Sequence, residues 1–209
     1  MKFRYDINAL RALAVVLVTL YHFKVPGFSA GFIGVDVFFV ISGFLMTSIV
    51  CKHSPSQPFS LWAFYTARVS RIIPALYALI LVLTVLGYFL LIPEYYQKFA
   101  RNAVASLGFF SNYRYAAEST GYFDLSAKEN ILLHTWSLSV EWLFYLMFPI
   151  VLLPFLRYKT GVKWVLGLMF VLSLAYASYL LHTNAKGAFY FLSSRIWEMA
   201  LGGLVAVYP

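Results

Sequence analysis

Residues 32–51 read FIGVDVFFVISGFLMTSIVC, twenty positions of which one, Asp36, carries a charge. At 1.5 Å per residue an α-helix of this length is about 30 Å long, the thickness of a bilayer's hydrocarbon core. In lipid every backbone N–H and C=O must be paired within the protein, and a helix does this by itself. The run therefore reads as a membrane-spanning helix. Working outward from it, comparable apolar runs occur at 7–23, 73–92, 137–156, 164–181 and 189–208, about six in all. The expected fold class is all-α: a polytopic transmembrane helix bundle forming one domain over 1–209. Composition agrees, with 62% hydrophobic, 20% aromatic and 11% charged residues, far from the soluble average.

The formal charge of +8 raises the question of nucleic acid. Nucleic-acid binding needs a solvated basic stripe, whereas these basic residues lie mostly between apolar runs, so no nucleic-acid partner is expected. Their placement instead sets orientation. Lys2, Arg4, Lys52, Arg68, Arg71, Arg157, Lys159 and Lys163 fall on one side if the N-terminus is cytoplasmic, which satisfies the positive-inside rule. The 93–136 segment is then outside, with Asn112, Arg114, Gly121, Asp124 and Lys128 among its polar or turn-forming residues. Within it, 98–111 reads either as an amphipathic helix on the outer surface or as a shallow re-entrant one. Lys2 and Arg4 before an apolar run resemble a signal peptide, but Asp6 in the flank and Arg11 in the core argue against that reading. Cys51 stands alone, so it forms no internal disulfide or cysteine-based zinc site, and no metal is expected. The last run ends at Val207, Tyr208 and Pro209 with no polar tail, and the chain is expected to be a C-terminally truncated piece of a longer protein.

Ionisable groups inside apolar runs are costly and mark candidate sites. Arg11 and His22 are eleven positions apart, close to three turns, hence on nearly the same face and roughly 16 Å apart along the axis. Arg11 suits an anionic group, and His22 is able to move a proton near neutrality. The same two residues also fit a snorkelling arginine and an interfacial histidine beside Tyr21 and Phe23. Asp36 is a short connection away and offers a carboxylate to orient an imidazole, or else it is simply interfacial. Gly31, Gly34 and Gly43 allow a neighbouring helix to approach closely. Arg68 and Arg71, at i and i+3, share a face and form either a phosphate clamp or an inner-leaflet anchor. Glu141 lies about one turn into its run, on the face of Ser137. Arg195 and Glu198, at i and i+3, read as a structural intramembrane pair.

Five blocks occur in order: Arg11 and His22 with ten residues between them, GFIGVDVFFVISGFL at 31–45, RVSRIIP at 68–74, LLHTWSLSVEWLFYLMFP at 132–149 and SRIWEMALGG at 194–203. Together they resemble the acyltransferase-3 family of bacterial inner-membrane O-acyltransferases, over almost the whole chain. The last block is similar to longer members that modify lipopolysaccharide O-antigen or peptidoglycan and carry a C-terminal extracytoplasmic SGNH domain. The resemblance implies a multi-pass protein of the bacterial inner membrane. It also implies transfer of an acyl group, usually acetyl, from cytoplasmic acetyl-coenzyme A to a sugar hydroxyl of an extracytoplasmic glycan. By it, Arg11 and His22 are the family's paired Arg and His, Arg68 and Arg71 its Arg-x-x-Arg motif, and Glu141 its acidic residue after Trp-Ser-Leu. Ala9 departs from a frequent glycine, and Trp142 from a frequent second Glu. His22 would then act as general base or acyl carrier, supported by Asp36 or Glu141, with Arg11, Arg68 and Arg71 meeting the phosphates of coenzyme A. Two other readings stay open: a secondary transporter, which also places Arg, His and Glu in a bundle interior, and a non-catalytic fragment of a longer acyltransferase.

Overall fold

A computed structural model describes residues 4–52, 59–118, 122 and 130–208. Lys2, His53, Gly121, Asp124, Lys128 and Pro209 lie outside the described residues. The regular structure among the described residues is helical: α1 Tyr5–His22, α2 Gly34–Cys51, α3 Leu61–Leu90, α4 Pro93–Leu107, α5 Ser111–Ala117, α6 Thr135–Leu152, α7 Lys159–Thr183, α8 Ala185–Tyr190 and α9 Ile196–Val207. Among the described residues, four segments are long and apolar enough to cross a membrane: Gly31–Cys51, Leu61–Leu90, Thr135–Phe155 and Thr160–Thr183.

Two of the six expected runs, 7–23 and 189–208, are not among these four. The 7–23 run is helical, but Asp6, Asn8 and Arg11 lower its apolar character below that of the other four. The 189–208 run is interrupted. Phe191 is extended (ψ 141°), and the Ser194 hydroxyl donates to the carbonyls of Gly187 (3.1 Å) and Phe191 (2.8 Å), local bonds that compete with a continuous helix. What remains apolar is the 12-residue α9, about 18 Å long, short of a 30 Å core. The third run starts earlier than expected because the Ser60 hydroxyl accepts from the Ala63 N–H (3.2 Å) and caps a 30-residue helix that continues through Pro74.

The described residues form two compact units. The first comprises 4–52, 152–176 and 195–208. Here the glycines act by letting backbones touch. A Cβ on Gly34 would sit 2.5 Å from the Ala14 carbonyl oxygen of α1, and one on Gly43 only 1.9 Å from that of Met199 in α9. Gly202 of α9 stands equally close, 1.9 Å, to the Val40 carbonyl oxygen of α2. Helix α2 is therefore clasped by α1 at its start and by α9 along its middle. The N-terminus of α9 is tied to α7 by the Trp197 N–H, which donates to Ser173 Oγ (3.0 Å).

The second unit comprises 59–118, 122, 130–151 and 177–194. Helix α4 doubles back along the C-terminal half of α3, with Phe99 and Ala103 packed on Leu76 and Ile80. Most of 98–111 thus lies in α4, an amphipathic helix packed on α3. Its polar residues Asn102 and Ser106 are buried, because they meet further polar groups rather than water. Ser106 Oγ lies 2.7 Å from Thr135 Oγ1, Thr135 donates to Ser111 Oγ (3.1 Å), and Ser111 pairs with Ser139 (2.8 Å). Arg114 Nε donates to Asn102 Oδ1 (2.7 Å). A buried polar chain of this kind is stable only if its members are paired, and these are.

Candidate functional site

In the first unit, Arg11 lies on the stripe of α1 that carries buried Ile7 and Ala14, four residues after one and three before the other. That face is turned to α2, since Gly31 and Gly34 pack on Ala14, Leu17, Val18 and Tyr21 of the same stripe. Arg11 is half-buried, and its Nε is buried without a hydrogen-bond partner. A guanidinium N–H left so is costly unless an anion or other acceptor comes to it. His22 is on the same side of α1 by periodicity but at its last turn, where it is exposed and meets the Tyr21 ring edge-on at 5.3 Å.

Asp36, in the first turn of α2, has a cationic partner in Arg195. Arg195 Nη1 donates to Asp36 Oδ1 (3.1 Å) and to Glu198 Oε1 (2.7 Å). Glu198 is 1% exposed, and its second oxygen, Oε2, has no partner. The Arg195/Glu198 pair was legible from i, i+3 spacing. That Arg195 reaches Asp36, 159 residues away in sequence, was not, because no local pattern encodes which distant helix lies alongside. One guanidinium faces two carboxylates here, so the cluster is one positive charge short of neutral if both are ionised. Such clusters in apolar surroundings are expensive, and removing the cation would leave a buried carboxylate, Glu198, and a half-buried one, Asp36, without it.

In the second unit, Arg68 and Glu141 are brought to one side chain. The Arg68 guanidinium carbon lies 5.9 Å from the centre of the Tyr145 ring and 5.8 Å from that of Phe64, within cation–π range. The Tyr145 hydroxyl donates to Glu141 Oε1, one turn back on α6. Tyr145 thus joins two residues singled out separately in the sequence. Its own candidacy was hidden among sixteen tyrosines. Ser137, on the face of Glu141, donates instead to the His134 carbonyl (3.1 Å). Arg71 does not accompany Arg68 to Tyr145. It is exposed and lines a groove of about 420 Å³ with His134, Thr135 and Leu138.

These constellations meet independent comparisons with known proteins. Residues 4–209 match the acyltransferase-3 family, described as an acyltransferase domain. The chain belongs to the acyltransferase-3 family. It is 36% identical over 208 residues to BcsY of Komagataeibacter xylinus, a protein named as a membrane-bound transacylase, covering 99% of this chain and 52% of that one. It is 34% identical over 211 residues to the peptidoglycan O-acetyltransferase OatA of Listeria monocytogenes, covering 98% of this chain and 34% of the relative. To the O-acetyltransferase OatA of Staphylococcus aureus it is 38% identical over 170 residues, 80% of this chain and 28% of the relative. The chain therefore spans about half the length of the first of these relatives and about a third of the others. No solved structure matches it. Membership makes this an all-helical membrane protein of an acyltransferase family. The roles of individual residues rest on their chemistry.

Proposed function

We propose that this protein moves an acyl group, acetyl by preference, from cytoplasmic acyl-coenzyme A to a sugar hydroxyl of an extracytoplasmic glycan, from the bacterial inner membrane and with its N-terminus inside. Peptidoglycan is favoured as acceptor over lipopolysaccharide O-antigen, since two relatives are O-acetyltransferases and one of them is named for peptidoglycan. In this reading His22 removes the proton from the sugar hydroxyl as its oxygen attacks the thioester carbonyl. The carbon–sulfur bond breaks, and the departing thiolate takes up a proton as free coenzyme A. Arg11, Arg68 and Arg71 meet donor phosphates. Asp36 and Glu141 supply the negative charge that keeps nearby cations and donors ordered. The observation that carries the reading is Arg11, held on the packed stripe of α1 with a buried Nε that lacks a partner, on the helix that also presents His22.

The test is glycan acetylation by the full-length protein in its own cell. Base catalysis contributes about 10²–10⁴-fold, so His22→Ala at normal abundance should lose acetylation by at least that order. His182→Ala, at the exposed end of α7, should leave it nearly intact. Wild-type acetylation in the His22 variant would remove His22 from the chemistry. Glycan movement without acetyl-coenzyme A consumption would point to a transporter instead.

A further inference from the structure

A small pocket within the second unit combines buried donors, apolar walls and an aromatic rim. Asn102 of α4 and Asn130, shortly before α6, line it and are 1% and 8% exposed. Each amide is held by its oxygen: Asn102 Oδ1 accepts from Arg114 Nε (2.7 Å), and Asn130 Oδ1 accepts from the Leu132 N–H (3.1 Å). Neither amide can flip without losing that bond, so what each offers a ligand is its Nδ2. Asn130 Nδ2 feels the Tyr115 hydroxyl, yet it is buried without a well-formed hydrogen bond, and of its two N–H bonds at least one is unused. A buried donor in this state is unfavourable until an acceptor reaches it. Leu91, Phe99 and Ile131 supply apolar wall, and exposed Tyr95 and Lys98 stand at the mouth.

The pocket measures about 40 Å³, room for about three water-sized groups. A sugar ring is too large to enter it, whereas a substituent of a few heavy atoms fits. An inorganic anion would use the donors but not the apolar walls. An alkyl end would fill the walls and leave the donors unmet. A carbonyl bearing a methyl group satisfies both. Building on the acyl-transfer reading above, in which the 93–136 segment faces the acceptor's side of the membrane, we propose that this pocket receives the acetamido group of an N-acetylated sugar in the acceptor glycan. The carbonyl oxygen accepts from Nδ2 of Asn102 and Asn130, and the methyl packs on Leu91 and Phe99. The ring stays at the mouth, its apolar face against Tyr95 and its hydroxyls within reach of Lys98. Asn130 is then a binding residue that selects the acceptor by a substituent other than the hydroxyl that is acylated.

Binding of two simple glycosides tests this. Full-length protein in lipid nanodiscs is titrated with methyl N-acetyl-β-glucosaminide and with methyl β-glucoside, and binding is read by saturation-transfer NMR. The N-acetylated glycoside should bind about tenfold tighter, with its acetamido methyl the most strongly saturated group. Asn130→Asp keeps the acceptor for the Leu132 N–H and removes the Nδ2 donor; Ile131→Trp fills the mouth from a half-exposed position and serves if Asn130→Asp does not fold. Each should bring the ratio of affinities near unity. Val104→Trp, exposed and nine positions from Tyr95, hence on the opposite face of α4, should leave the ratio unchanged. Equal binding of the two glycosides, a preference that survives in the folded pocket variants, or displacement of the N-acetylated probe by inorganic phosphate or by acetyl-coenzyme A would each overturn the proposal. Equal binding in a protein that still acetylates its glycan would overturn the pocket and leave acyl transfer intact. A preference retained in a protein that consumes no acetyl-coenzyme A would support the pocket and overturn the acyl-transfer reading alone.

Discussion

Replacing Gly43 by alanine probes the contact that brings Arg195 to Asp36. The new Cβ would lie 1.9 Å from the Met199 carbonyl oxygen and 2.5 and 2.7 Å from the Met199 carbonyl carbon and Cα, all backbone atoms. Carbon–oxygen contacts between closely packed helices sit at about 3.3 Å, so α2 and α9 must part by about 1.4 Å. No flexible side chain stands there to give way, which puts the overpacking cost near the top of its usual range, about 3 kcal/mol. Better helix propensity returns about 1 kcal/mol, leaving a net loss of about 2 kcal/mol. The same displacement stretches the 3.1 Å Arg195–Asp36 bond beyond hydrogen-bonding reach. Gly167 is the control, because a Cβ there meets nothing within 4 Å and Gly167→Ala should gain about 0.5–1 kcal/mol. Denaturant unfolding in matched detergent micelles, together with glycan acetylation, reads both variants. Equal stability of Gly43→Ala and Gly167→Ala would refute the backbone-contact account of the α2/α9 pair.

The Asp36–Arg195–Glu198 cluster predicts an asymmetry in the same unfolding measurement: Arg195→Met leaves two carboxylates without their cation and should cost about 3–5 kcal/mol, whereas Glu198→Gln leaves one cation with one anion and should cost under about 1 kcal/mol. The reverse order would contradict the assigned charges. Tyr145→Phe keeps the ring beneath Arg68 but removes the hydrogen bond to Glu141, for an expected loss of about 1.5–3 kcal/mol and a fall in acetylation; a silent variant would separate Tyr145 from Glu141. Thr135→Val removes the hub of the buried hydroxyl chain and should cost about 1–3 kcal/mol, with Ser70→Ala, on an exposed turn of α3, as the neutral comparison. Burial raises the Tyr115 phenol above its ordinary value. The folded protein therefore keeps this proton where the unfolded chain has lost it, so this residue's contribution to stability is complete below about pH 10 and declines as pH rises further. Ultraviolet titration should show a late-ionising tyrosine component that shrinks in Tyr115→Phe.

By itself the sequence determined the helical class, the apolar runs, four of which are helices long enough to cross a membrane, and the chemistry on offer, because hydropathy and 3.6-residue periodicity are local and survive without knowledge of neighbours. It also placed Arg11 on a packed stripe, the three glycines at close approaches, and Arg195 beside Glu198, each through spacings of a few residues. The break at Phe191–Arg195 escaped it, since serine hydroxyls compete with helix hydrogen bonds only when the local backbone lets them, and hydropathy registers no such contest. So did the inward turn of Asn102 and Ser106, whose polarity suggests water until partners arrive from α6. Only the tertiary structure decided that Asp36 meets Arg195, that Arg68 and Glu141 converge on Tyr145, and that Arg71 shares a groove with His134. Those pairings depend on which helix faces link up across tens of residues, a choice made by close packing of whole surfaces and not by any one segment's pattern.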